Sequence, residues 1–269
     1  ESYDSFRRIG DIWELGQVNN IASVNHYYSS NYEQSIRHLN EWIAISNRIN
    51  NDYGLCNSYA NLAWVYTDMG DYPRALEYAG RSLDISARQG IWFAHFLACA
   101  YAGYCHSEMN DHQAAIDLLE RGRDLDRRHR FTLRVYTAPL YIYRAEAYIR
   151  QYLDARSRLP RGKTRRLRAN MKRACREALS RSRGWPLNYC AAVRVAAQCA
   201  EALGRARKAR RLYRSAVNLC SRTGRRFELG KAYLGYGALL ARSGDSDGAA
   251  PLLETARKVF GEISAPHYQ

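Results

Sequence analysis

The sequence predicts an all-α chain of antiparallel helix pairs repeated every 40 residues, and three observations predict it. The stretch from Asn61 to Ser86 aligns without gaps with Ile21 to Ser46 and with Tyr101 to Asp126, one period earlier and one later. Only 6 prolines occur in 269 residues, while Ala, Leu, Arg and Tyr recur at helical spacings. Finally, Gly10, Asn50, Gly90, Gly184 and Gly224 each stand three residues before the residue that opens the next helix. Gly and Asn tolerate the left-handed backbone that ends a helix.

The elements follow in order. Residues 1–10 match the tail of a second helix, as in Ser82 to Gln89 before Gly90, so the array is expected to extend further toward the N-terminus in a parent protein. The first residue, Glu1 in place of Met, carries the same expectation. Units 11–50, 51–90 and 91–130 share an opening ring (Trp13, Tyr53, Phe93) and a ring at the inner turn (Tyr32, Tyr72, His112). They also share a small residue in the second helix: Ser35, Ala75 and Ala115. Unit 131–184 is degenerate, with a first helix near Val135 to Ile149, a second near Ala169 to Arg181, and a basic loop 151–168 too long for the period. Units 185–224 and 225–264 restore the register. Ala197, Gly204, Ala209 and Ala216 are answered 40 residues later by Gly237, Gly244, Ala249 and Ala256, and Pro266 breaks the last helix.

Ala63, Gly103, Ala145, Ala197 and Gly237 let the two helices of a unit approach closely, and Gly70, Gly204 and Gly244 permit the turn between them. The series Leu62, Ala63, Tyr66, Gly70, Tyr72, Ala75, Ser82 resembles the tetratricopeptide repeat family, and the resemblance covers nearly the whole chain. A period of 40 rather than that family's usual 34 looks like the longer-helix subclass of maltose-regulator-type bacterial activators and related signal-transduction ATPases. The resemblance implies a right-handed superhelix of about six repeats, an α-solenoid in a single domain 1–269, whose first helices line a groove for a protein or peptide partner. Carried over, its inner-face positions are Asn20, Val24, Tyr27, Trp64, Thr67, Tyr104, Ser107, Glu146, Arg194 and Gln198. Taken singly, each reads more readily as a packing or solvated residue than as a contact residue.

Charge is the feature the repeat does not require. Residues 1–130 hold 12 Arg and no Lys against 17 acids, a net of −5, while residues 131–269 hold 29 basic residues against 9 acids, a net of +20. From Arg156 to Arg183 there are 12 Arg or Lys and one acid, Glu177; from Arg205 to Arg226 there are 9 and no acid. The candidate contact residues are Arg161, Lys163, Arg165, Arg166, Arg168, Lys172 and Arg173, with Arg207, Lys208, Arg210 and Arg211. Three readings compete: an acidic protein partner (another domain of the parent chain included), a polyanion such as nucleic acid, and an Arg-rich background. Rings that stack on bases are sparse in the tract, which leaves base-specific recognition without support.

Catalytic patterns fail on context. Arg161-Gly162-Lys163-Thr164 mimics the end of a phosphate-binding loop, but Ser157 occupies the first glycine position. His106 and His112 fall on repeat landmarks, and Gly244 to Gly248 falls on a repeat turn rather than in a calcium loop. The 7 cysteines include no C-x-x-C and read as reduced core residues. The expectation is therefore a non-enzymatic, cytoplasmic interaction module with no cofactor, metal, membrane or small-molecule substrate.

Overall fold

The computed structural model of the protein describes residues 12–130, 134–263 and 265. Residues 1–10, with Gly10, and Pro266 lie outside the described residues, as does the side chain of Arg161. Within them the chain forms twelve helices: α1 (Ile12–Tyr28), α2 (Tyr32–Arg48), α3 (Asp52–Met69), α4 (Tyr72–Gln89), α5 (Trp92–Glu108), α6 (His112–His129), α7 (Arg134–Ala155), α8 (Arg161–Ser182), α9 (Pro186–Ala202), α10 (Ala206–Thr223), α11 (Arg226–Arg242) and α12 (Ser246–Glu262). No strand occurs among the described residues. Each odd-numbered helix packs on the even-numbered helix that follows, and successive pairs stack into a solenoid.

Local chemistry sets the boundaries. Asn31, Asn51, Asp71, Asp111 and Asp245 each accept a hydrogen bond from a backbone N–H three residues on, which caps α2, α3, α4, α6 and α12. Gly70, Gly90, Gly184, Gly204, Gly224 and Gly244 all have positive φ, as does Asn50. Ser30, Asn110 and Arg130 adopt the same conformation without a glycine's freedom. At Gly103 an added Cβ would lie 2.6 Å from Leu119 Cγ, and at Gly237 2.8 Å from Leu253 Cγ, so the small residues mark close helix approach.

The basic loop expected at 151–168 is corrected. Helices α7 and α8 each run 22 residues, and only residues 156–160 separate them. The extra chain is spent as additional helical turns, because residues 151–159 contain no Gly or Pro and α8 is rich in Arg and Lys, both good helix formers. Lys163, Arg165, Arg166, Arg168, Lys172, Arg173 and Arg176 are exposed, and Pro160 supplies the break at the N-cap of α8. Pro139 stands inside α7 and has no N–H for the carbonyl of Val135; Asn188 Nδ2 of α9 donates to that carbonyl at 3.1 Å.

Even-numbered helices bury one stripe, such as Ala75, Ala79, Ser82 and Ser86 in α4 or Ala209, Tyr213, Ala216 and Cys220 in α10. Of the odd-numbered helices, α3, α5 and α7 are enclosed on every side over long stretches. Every residue from Ala60 to Asp68, from Ala94 to Cys105 and from Thr137 to Ile149 is buried. A single neighbouring layer cannot bury runs of that length, which take in every face of the helix.

Candidate docking site

The inner face of the solenoid is closed by the chain itself. Lys231 of α11 donates to Tyr104 Oη of α5 at 2.8 Å, across 127 residues of sequence, and its ammonium also lies 4.9 Å from that ring's centroid. Arg225, at the N-cap of α11, lies over the rings of Tyr27 and Tyr28 in α1 at 5.3 and 4.8 Å. The sixth pair thus reaches back across the face formed by the first three.

Most groove positions taken from the repeat are enclosed rather than open. Tyr27, Trp64, Thr67, Tyr104, Ser107, Glu146 and Arg194 are buried, and Asn20, Val24 and Gln198 are half-buried. Tyr27 packs on Trp64 with ring centroids 3.7 Å apart and donates to Asp68 Oδ2 at 2.5 Å. Thr67 Oγ1 donates to the Ala63 carbonyl at 2.6 Å, and Asn61 Nδ2 donates to Asn20 Oδ1 at 3.0 Å. Arg194 joins three helices: Nη1 donates to Glu146 of α7 at 2.6 Å and Nε to Glu228 of α11 at 2.7 Å. Lys231 Nζ approaches the same Glu146 oxygen at 3.1 Å.

These charges are mutually dependent. Burial disfavours the Glu146 carboxylate, but Arg194 and Lys231 outweigh it and hold its pKa at about 2. Burial likewise disfavours charge on Glu228, and Arg194 followed by Lys231 lowers its pKa nonetheless. Asp68 behaves oppositely: burial dominates the opposing pull of Arg225 and pushes its carboxyl up to about 7. Asp68, Arg225, Glu228 and Lys231 were not among the candidates read from sequence. Their signal was present in Asp68 and Lys231, isolated charges within otherwise apolar or small-residue stretches of first helices.

One part of this face stays open. A cleft of about 580 Å³ lies among α7, α9, α10 and α11, with Ile149 and Leu153 on one wall and Gln198 and Ala202 on another. Glu146 reaches it from the charged ladder, and its Oε2 has no hydrogen-bond partner among the described residues. At the rim Arg150 bonds Glu108 at 2.6 Å, Arg242 pairs with Glu201, and Tyr213 donates to Glu201 at 3.0 Å. Arg156 is exposed and pairs with no acid among the described residues.

The basic candidates are spread over the opposite, even-helix side. Lys163, Arg165, Arg166, Arg168, Lys172 and Arg173 of α8 are exposed, as are Arg207, Lys208, Arg210 and Arg211 of α10. Arg161 belongs to the first turn of α8. Lys172 and Lys208 face one another across a groove of about 360 Å³, joined there by Arg176 and Arg205. Arg173 instead lines a second cleft of about 450 Å³ with Arg123 and Arg127. Arg210 lies 3.9 Å from Asp245.

The motif mimics resolve into ordinary structure. Thr164 Oγ1 donates to the Pro160 carbonyl in the first turn of α8, and Asp245 caps α12. His106 and His112 turn to different carboxylates, those of Asp111 and Asp154. All seven cysteines are buried as free thiols. No helix among the described residues is long and apolar enough to cross a membrane.

A solenoid of stacked helix pairs defines the class of helical repeat arrays, which generally serve interaction rather than catalysis. Within that class, residues 14–88 match the tetratricopeptide repeat model, and the described chain is a tetratricopeptide-like helical solenoid. The apo form of RapI is similar in fold (TM-score 0.66, 13% identity, 93% of this chain and 85% of that chain). So is a Rap protein complexed with competence and sporulation factor (TM-score 0.64, 11% identity, 99% of this chain and 74% of that chain). A signal transduction ATPase with a tetratricopeptide repeat sensor from Pyrococcus horikoshii also matches (TM-score 0.52, 15% identity), over 96% of this chain and 39% of that one. No curated protein matches the chain in sequence.

Proposed function

We propose that this chain is a non-catalytic regulatory array that holds a short peptide segment of a protein partner in the cleft between α7, α9 and α11, as the sensor or docking portion of a larger bacterial signalling or transcription-regulatory protein. The observation that carries this reading is the cleft itself, an open part of an inner face whose other repeat positions are mostly buried among the described residues. Its volume, about 580 Å³, falls in the range of small-ligand sites. The lining prescribes the guest: an apolar side chain against Ile149 and Leu153, a carboxylate for Arg156, and an N–H donor for Glu146 Oε2. A Rap protein of similar fold has been solved with competence and sporulation factor, and another solenoid of this fold is the sensor of a signal transduction ATPase, which supports both parts of the proposal.

The test is selection of displayed random peptides on the full chain, followed by binding to Leu153→Arg and Arg156→Glu. Both positions are exposed, so the fold should survive substitution. Selected peptides that lose affinity for both variants support the reading. Failure to select any peptide, or equal binding to wild type and variants, refutes it.

A further inference from the structure

The even-helix side carries a second surface, separate from the cleft of the proposed function. Between α8 and α10, over α9, runs the 360 Å³ groove, and its floor is apolar: Leu179, Ala196, Leu203 and Leu212, all half-buried, with the Cys199 thiol among them. Four cations rim it, Lys172 and Arg176 on one side, Arg205 and Lys208 on the other; all are exposed. No acid lines it.

Among the described residues no acid pairs with these four cations, although Arg181 further along α8 meets Asp126 at 3.5 Å. Helix α8 carries nine Arg or Lys and one acid, Glu177, and that carboxylate is taken by Arg144 of α7 at 2.9 Å. Helix α10 carries no acid at all. On α4 and α6, by contrast, cations pair within their own helix, as in Arg81 with Glu77 and Arg123 with Glu120. Uncompensated cations facing each other across a groove repel one another, a cost that an acidic occupant removes. The rim also continues along α8, where Arg165, Arg168, Lys172 and Arg176 follow at i+3, i+4 and i+4, a stripe about 16 Å long.

We propose that this groove docks an acidic amphipathic helix of a partner protein, with its apolar ridge on the leucines of the floor and its carboxylates on Lys172, Arg176, Arg205 and Lys208. Three turns of helix match the length of the stripe. An apolar floor without a single aromatic ring fits a leucine ridge and offers nothing to bases, which distinguishes this partner from a nucleic acid. Positive rims steer the encounter, and the floor supplies the part of the binding that salt does not screen.

The experiment uses the full chain and three fluorescent probes. One is a synthetic helical peptide of about fourteen residues with Leu at i, i+3 and i+7 and Glu on both flanks. The second is a scrambled peptide of the same composition that lacks the ridge, and the third is a single-stranded oligothymidylate. The ridged peptide should bind, the scrambled one more weakly by roughly tenfold, and K172E/K208E should weaken the ridged peptide by roughly tenfold or more. Arg222→Glu, on an exposed part of α10 outside the groove, and Leu153→Arg, in the other cleft, should leave that affinity unchanged. Loss of peptide selection at the cleft together with retained binding here would therefore refute only the proposed function.

A second measurement does not depend on any variant folding. Cys199 lies on the groove floor, its thiol pKa lowered by the Cys175 thiol that hydrogen-bonds it and by Lys172, Lys208 and Arg205, with burial opposing. The ridged peptide should slow iodoacetamide alkylation of Cys199. Absence of ridged-peptide binding, equal binding by the scrambled peptide or the oligothymidylate, loss of affinity in Arg222→Glu matching that in the double variant, or unchanged Cys199 alkylation would each overturn the proposal.

Discussion

Replacing Arg194 by Met tests the charged ladder that closes the inner face. Methionine fills much of the same space but leaves Glu228 without the cation it is bonded to and Glu146 with Lys231 alone. Both carboxylates are almost fully buried, so neither can recover its hydration. Breaking a buried ion pair from one side costs about 3 to 5 kcal/mol. With an unfolding entropy of roughly 2.1 cal/mol/K per residue, the 269-residue chain should lose about 5 to 9 °C in Tm. The sign of the pH dependence is fixed as well. Glu146 moves from an ordinary 4.5 to about 2 in the folded chain, so its contribution is present above 4.5 and is lost as pH falls toward 2. The gap in Tm between wild type and Arg194→Met should therefore be largest near neutrality and should narrow on acidification. Thermal melts followed by far-ultraviolet circular dichroism at a series of pH values read both effects. A neutral-pH drop below about 2 °C, or a gap indifferent to pH, would refute the reasoning.

Three further outcomes follow from other sites. The folded Asp68 carboxyl is raised from 3.8 to about 7, so the folded state holds the proton more tightly and stability contributed here falls as pH rises from about 4 to about 7; Asp68→Asn should flatten that part of the profile of melting against pH. Asn188→Ala strands the Val135 carbonyl opposite Pro139 and should cost about 1 to 3 kcal/mol in urea unfolding, whereas adding Pro139→Ala restores a backbone donor and should recover part of the loss. Arg130 holds φ at 48°, and Arg130→Gly should relieve about 1 kcal/mol of strain, read as a raised urea midpoint.

What the sequence made legible was local. Gly90, Gly184 and Gly224 were placed by their spacing alone, and each has the positive φ that the spacing demanded. A repeat register marks the surplus residues of 151–168 without saying whether they become coil or helix, and the lack of Gly and Pro over 151–159 is the decisive clue. Tyr104, Glu146 and Arg194 were placed on the inner face, yet whether that face is open depends on the rotation accumulated from one pair to the next. No spacing within a unit records that sum. The contact between Lys231 and Tyr104, 127 residues apart, therefore had no sequence signature. The basic tracts are plain as composition, but only the packing of α8 and α10 against α9 sets Arg176 and Arg205 around an apolar floor.

The backward reach of α11 changes what kind of mechanical object the array is. A solenoid whose pairs touch only their neighbours stretches like a spring, each coil yielding on its own. Here Arg225 and Lys231 act as a clasp from the sixth pair to the first and third, so extension has to undo buried charge before any coil can lengthen. Strain applied at one end is thereby felt at the other, and the array resists pulling as a fastened loop.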